Sequence, residues 1–66
     1  MYHVFKEFVE IEDKEYSTYS IAAPNGFVVH DVTPDASKAY NLAAKFSAAK
    51  LSPIHLRDAV EDFLAE

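Results

Sequence analysis

The order of segments along the chain predicts an α+β domain: a three-stranded antiparallel meander followed by two α-helices packed on one face of the sheet. Three observations carry that expectation. The N-terminal half alternates with the period of strands, Pro24-Asn25-Gly26 marks a tight reversal inside it, and the C-terminal half holds two proline-led helix openings.

Residues 2–11 are rich in β-branched and aromatic types and contain no turn residue, which predicts a first strand. Phe5, Val9 and Ile11 share one side of it, and Val4 and Phe8 share the other. The alternation is imperfect, so both a bulge and a strand buried on two sides stay open. Residues 12–15 are a charged break. Residues 16–23 then alternate cleanly, with Tyr19, Ile21 and Ala23 expected on the core side and Tyr16, Thr18, Ser20 and Ala22 on the other. Proline presets φ for the turn, and asparagine and glycine tolerate the backbone that closes it. Residues 27–32 form the third strand, in which Phe27 with Val29 and Val28 with Val32 compete for the interior.

Thr33-Pro34-Asp35 opens the first helix, over residues 34–50. Threonine caps, proline suits the first turn, and an acid favours the positive helix end. Ala39, Leu42, Ala43 and Phe46 follow helical spacing on one face, and Lys38, Asn41 and Lys45 stand opposite. Ser52-Pro53 ends that helix and opens a second over residues 52–66. Its stripe of Leu56, Val60, Phe63 and Leu64 fits an arc about 100° wide, the width of a core-facing surface.

Sixty-six residues, half of them hydrophobic, make a single domain spanning 1–66, near the lower size limit for unaided folding. Chains this small often gain stability by oligomerising, so a homodimer is one expectation and independent folding the other. The absence of cysteine excludes disulfides, thiolate metal sites and a Cys nucleophile. No apolar run reaches the roughly 18 residues that cross a bilayer, and the N-terminus does not look like a signal peptide. A cytoplasmic protein with no membrane contact is expected. The net charge is −5, with acids concentrated in residues 1–30 and 51–66. Without clustered cations to displace counterions from phosphate, nucleic-acid binding is disfavoured.

The stretch Leu51-Ser52-Pro53-Ile54-His55-Leu56-Arg57-Asp58-Ala59-Val60-Glu61-Asp62-Phe63-Leu64 resembles the C-terminal signature of a group of short proteins from Gram-positive, largely anaerobic bacteria. That group is defined as a domain of unknown function. Its upstream Tyr-x-x-Tyr-Gly-Ile strand reads Tyr16-Ser17-Thr18-Tyr19-Ser20-Ile21 here, with serine where glycine is usual. The resemblance implies the same layout and carries no activity with it.

His55, Asp58 and Asp62 stand at i, i+3 and i+7, which would line them along one helix face. An imidazole with carboxylates could hold a metal or small ligand there, with His30 as a further donor. Helical zinc sites use paired histidines, however, so no metal or cofactor is expected. Ser17, Ser20, Ser37, Ser47 and Ser52 lack a glycine-flanked elbow, and one glycine cannot build a phosphate loop. Enzymatic activity is not expected. Tyr2, Val4, Phe8 and Tyr16, with Val28 and Val32, are the candidates for an apolar patch on the sheet face the helices leave open. The leading reading is therefore a small protein-interaction or regulatory domain that self-associates through that face or an edge strand. Its contact residues would be Tyr2, Phe8, Tyr16, His55, Asp58 and Asp62. A weaker reading makes the acidic surface a decoy for a basic partner.

Overall fold

A computed structural model describes residues 1–65. Strands β1 (His3–Ile11), β2 (Lys14–Ala22) and β3 (Val28–Thr33) form one antiparallel sheet in the order β1-β2-β3. Helix α1 (Ala36–Ala48) follows. A single 3₁₀ turn, Pro53–His55, then leads into α2 (Leu56–Ala65). This is the expected α+β arrangement, and the expected second helix is shorter than residues 52–66 because its first turn winds as 3₁₀. Glu66 lies outside the described residues.

The β1–β2 hairpin closes on two residues, Glu12 and Asp13, with φ of 50° and 65°. Positive φ at both central positions is the turn geometry whose twist matches antiparallel strands. It fixes the register: Val4 faces Ile21, Phe5 faces Ser20, and Val9 faces Tyr16. The second reversal uses Pro24-Asn25-Gly26. Gly26 donates to the Ala23 carbonyl at 3.0 Å and adopts φ 91°, a conformation that costs glycine nothing. Ala23 then donates to the Phe27 carbonyl at 2.8 Å, which locks the strands on either side.

β3 carries a bulge. Ile21 pairs with Val29 and Tyr19 with Thr33, so His30, Asp31 and Val32 together stand opposite Ser20. Asp31 absorbs the extra length at φ 53°, a left-handed conformation that aspartate tolerates better than most residues. The bulge settles which valines enter the interior. Val29 packs against the core and Val32 is buried in it, while His30 and Asp31 are exposed.

The core lies between the sheet and the helices. It gathers Tyr2, Ile21, Ala23, Val32, Leu42, Ala43, Phe46, Leu56 and Val60, with Val4, Val29, Leu51, Ala59 and Phe63 packed around it. Helix α1 buries the expected face, Ala39, Leu42, Ala43 and Phe46. Its N-cap is Asp35, whose side chain accepts from the Lys38 N–H at 3.2 Å. Thr33, expected to cap the helix, instead accepts from the Asp35 N–H at 3.2 Å, one step earlier. The helix ends with Lys50 at φ 53°. There Leu51 donates back to the Phe46 carbonyl at 3.0 Å and Lys50 to that of Ser47 at 3.2 Å. Those two bonds are the Schellman pattern, built on lysine where glycine is usual.

Val4 and Val32, expected on the open face, belong to the core side, and two further residues depart from expectation. Tyr2 is a core residue, 7% exposed, with its ring edge-on to Phe46 at 5.7 Å. Its hydroxyl donates to the Leu51 carbonyl at 2.5 Å, and its N–H to Ser47 Oγ at 3.1 Å. Leu64, expected in the inner stripe of α2, is 56% exposed: it lies about 80° round the helix from Leu56, while α2 buries Leu56 and Val60 with Phe63 packed at the core's margin. Leu56→Ala is expected to cost about 2–5 kcal/mol in urea denaturation. Leu64→Ala should stay within about 0.5 kcal/mol of wild type in the same measurement.

Candidate functional site

The hairpin register divides the strand residues between two faces. Val4, Tyr19 and Ile21 look toward the helices, while Phe5, Glu7, Val9, Tyr16, Thr18 and Ser20 look away. No helix or loop among the described residues packs over the second face. The β3 bulge adds His30 and Asp31 to it, two consecutive residues that a regular strand would send to opposite sides.

These side chains form one hydrogen-bonded network. Thr18 donates its hydroxyl to Asp31 Oδ1 at 2.7 Å, and Tyr16 donates to Oδ2 at 3.2 Å. Ser20 donates to Glu7 Oε1 and accepts the Asp31 N–H at 3.2 Å. His30 Nδ1 lies 2.7 Å from the same Glu7 oxygen, and its ring stands edge-on to Phe5 at 6.5 Å. Thr18 and Ser20 are fully buried although they belong to the face away from the helices, because Glu7, His30 and Asp31 lie across them. Among the described residues no buried side-chain polar atom lacks a partner.

The electrostatics follow from that geometry. The Ser20 hydroxyl and then the His30 ring hold the Glu7 carboxyl below its usual range, against a smaller opposing effect of partial desolvation. Desolvation, followed by the charge and hydrogen bond of Asp31, pushes the Tyr16 phenol upward. Burial does the same for Tyr2 in the core. The chemistry open to this face is limited by where the protons sit. Ser20 directs its proton to a carboxylate rather than to an imidazole, and its oxygen is buried. The nucleophile–base contact of acyl-transfer sites is not formed there.

The expected contact residues do not form one surface. Tyr2 is in the core. Phe8 shares its side of β1 but projects past the helices and is 67% exposed. Tyr16 sits on the opposite face, in the network. His55 closes the 3₁₀ turn that runs into α2, and Asp58 and Asp62 lie on α2 itself. All three are exposed. His30, named as a further donor for that trio, is on the face away from the helices and pairs with Glu7 instead. No three His, Cys, Asp or Glu side chains among the described residues gather closely enough to hold a metal ion. Glu7, Thr18, Ser20 and Asp31 were not expected in a site. Glu7, Thr18 and Ser20 become visible once Ile11 is paired with Lys14, since the register then places them together.

Fold and site define a small α+β domain with one helix-covered face and one polar, internally linked face. The chain belongs to the family of unknown function DUF6514, whose family model matches residues 8–66. No curated protein and no solved structure matches it. None of the described helices is long and apolar enough to cross a membrane.

Two outcomes test the network. Since the Glu7 carboxyl titrates below its unfolded value, its contribution to stability is full above the ordinary glutamate range and is lost as pH falls through the lowered value. Glu7→Gln should flatten that acid limb of a stability-versus-pH profile and leave the neutral-to-alkaline slope unchanged. Asp31→Val places a β-branched residue at positive φ and leaves the buried Thr18 hydroxyl unpaired. It should lose roughly 2–4 kcal/mol in chemical denaturation, whereas Asp31→Asn, which tolerates the backbone, should lose less.

Proposed function

We propose that the protein is a non-enzymatic protein-interaction domain that uses the open face of its sheet to hold a segment presenting a lysine or arginine beside apolar side chains. The observation that carries this reading is the pre-ordered pair of carboxylates, Glu7 and Asp31, set among half-exposed Phe5, Val9, Ile11 and Tyr16. Their oxygens are fixed by Ser20, Thr18 and Tyr16, so a cation meets an acceptor whose ordering entropy is already spent. The apolar side chains around them supply area, and the overall charge of −5 favours encounter with a basic segment.

The absence of an enzymatic role is part of the proposal. It is supported by the proton arrangement at Ser20 and by the shallow, open nature of the face. A cytoplasmic location in a Gram-positive bacterium is likewise proposed, on the C-terminal motif of residues 51–64.

The test is a two-dimensional amide NMR titration with a synthetic peptide rich in arginine and leucine. Shift changes should map to Phe5, Glu7, Tyr16, His30 and their neighbours. Affinity should fall about five- to tenfold in the Glu7→Gln/Asp31→Asn double variant, and also in about 0.5 M salt. Changes confined to the helices, or an affinity indifferent to both perturbations, would overturn the reading.

A further inference from the structure

Among the described residues the outer edge of β1 is the longest free strand edge. β1 lies at the end of the sheet, and its nine residues pair with β2 on one side only among the described residues. The two-residue turn closes on Ile11 and Lys14, so the odd residues of β1 direct their N–H and C=O groups toward β2. The even residues direct theirs outward. Tyr2 obeys the same phase: its N–H points away from β2 and is taken by Ser47 of α1. Val4, Lys6, Phe8 and Glu10 therefore offer unpaired backbone groups to solvent. Beyond Val4 the helices leave this strand behind, and Phe8, Glu10 and Ile11 are exposed.

We propose that this edge pairs with β1 of a second copy, antiparallel about a two-fold axis at Phe8, joining two three-stranded sheets into one of six strands. The register follows from charge. Centring on Lys6, Glu7 or Glu10 would set like charges directly opposite each other, which is destabilising. Centring on Phe5 would run the second strand across Tyr2, whose outward N–H is already bonded. Centring on Val9 sets Phe8 against a glutamate and leaves Lys6 opposite the turn. Centring on Phe8 leaves Glu7 beside the partner's Val9 but pairs the aromatic and charged residues of the edge well. Phe8 faces the partner's Phe8, Lys6 faces the partner's Glu10, Glu10 faces the partner's Lys6, and Phe5 faces the partner's Ile11 on the open face. In this register the outward backbone groups of Lys6, Phe8 and Glu10 are the ones that meet.

Two features of the single chain agree with this. Phe8 is 67% exposed, and Lys6 lies against it with its Nζ 5.4 Å from the ring centroid. That lysine is free to turn to the partner's Glu10 as one phenylalanine replaces it against the other. The molecule is also long and thin, 39 × 26 × 18 Å, and the distal half of the β1–β2 hairpin forms its uncovered end. Edge pairing brings two such arms side by side and covers both.

Phe5 and Ile11 of the open face would meet across this seam, but Lys6, Phe8 and Glu10 lie on the other side of β1, so variants there test the pairing separately from the basic-segment reading. Sedimentation equilibrium of the full chain from micromolar to millimolar concentration should show a reversible monomer–dimer equilibrium. Phe8→Glu, at an exposed position where circular dichroism confirms folding, should weaken it at least tenfold. Lys6→Glu and Glu10→Lys should each weaken it, and the double exchange should restore it. Under oxidation Phe8→Cys should cross-link as a dimer and Glu7→Cys should not. A chain that stays monomeric throughout, or a dimer indifferent to Phe8→Glu and to the charge exchange, overturns the inference. Either result leaves the peptide titration of the open face to be read independently.

Discussion

Everything distinctive about this domain depends on the left-handed backbone at Asp31. A regular β3 would alternate, sending either Val29 and Asp31 or His30 and Val32 inward. The first choice buries a carboxylate beneath the helices and the second a histidine. Extra residues opposite Ser20 remove the conflict, because Val29 and Val32 both reach the core while His30 and Asp31 both face outward. The Asp31 backbone is stabilised where it stands, its N–H held by Ser20 and its side chain by Thr18 and Tyr16. The bulge thus places a helix-facing apolar pair and an outward polar pair within four consecutive residues.

Antiparallel sheets covered on one side usually dress the other with independent polar side chains. Here the outward residues depend on one another. Hydroxyls at Thr18 and Ser20 are buried by the groups they bond, which would be costly if any partner were missing. Two of the acceptors are carboxylates, and charge-assisted hydrogen bonds are roughly twice as strong as neutral ones. A fully satisfied network of this kind specifies one arrangement of the face, just as close packing specifies one arrangement of the core. The outer layer of the sheet is in effect a second, polar core one residue deep.

Much of the architecture was legible because it rests on local signals. The α1 stripe of Ala39, Leu42, Ala43 and Phe46 follows a period that only a helix satisfies, and Pro24-Asn25-Gly26 announces its own geometry. The β1–β2 register was not legible in the same way. Its turn residues are Glu12 and Asp13, without the glycine that usually marks such a turn, so the charged break reads as a longer loop and the faces of β1 cannot be matched to those of β2. That one uncertainty put Tyr2 and Val4 on the open face. The candidate site was hidden for the same reason: Glu7, Ser20 and His30 are distant in sequence, and only the register together with an unsignalled bulge makes them neighbours. The helix expected from Ser52 begins instead with a 3₁₀ turn at Pro53–His55, which no local sequence signal distinguishes from a first α-helical turn.

Phe8 shows how a side chain can be read against the demands of folding alone. Aromatic and β-branched residues favour strands wherever they lie, so an exposed phenylalanine on a hairpin is not by itself evidence of contact. The benefit comes mainly through cross-strand neighbours. Val4 stands against Ile21 and Val9 against Tyr16, pairs in which two apolar surfaces meet. Phe8 stands against Ser17, which offers almost no apolar area, and the helices do not reach it. Its ring therefore gives the isolated chain little beyond propensity and the contact with Lys6. The same ring lies midway between a lysine and a glutamate on a strand whose outward backbone groups are free. Folding explains Val4 and Val9; for Phe8 it leaves most of the surface unexplained, and association along the edge supplies the missing neighbour.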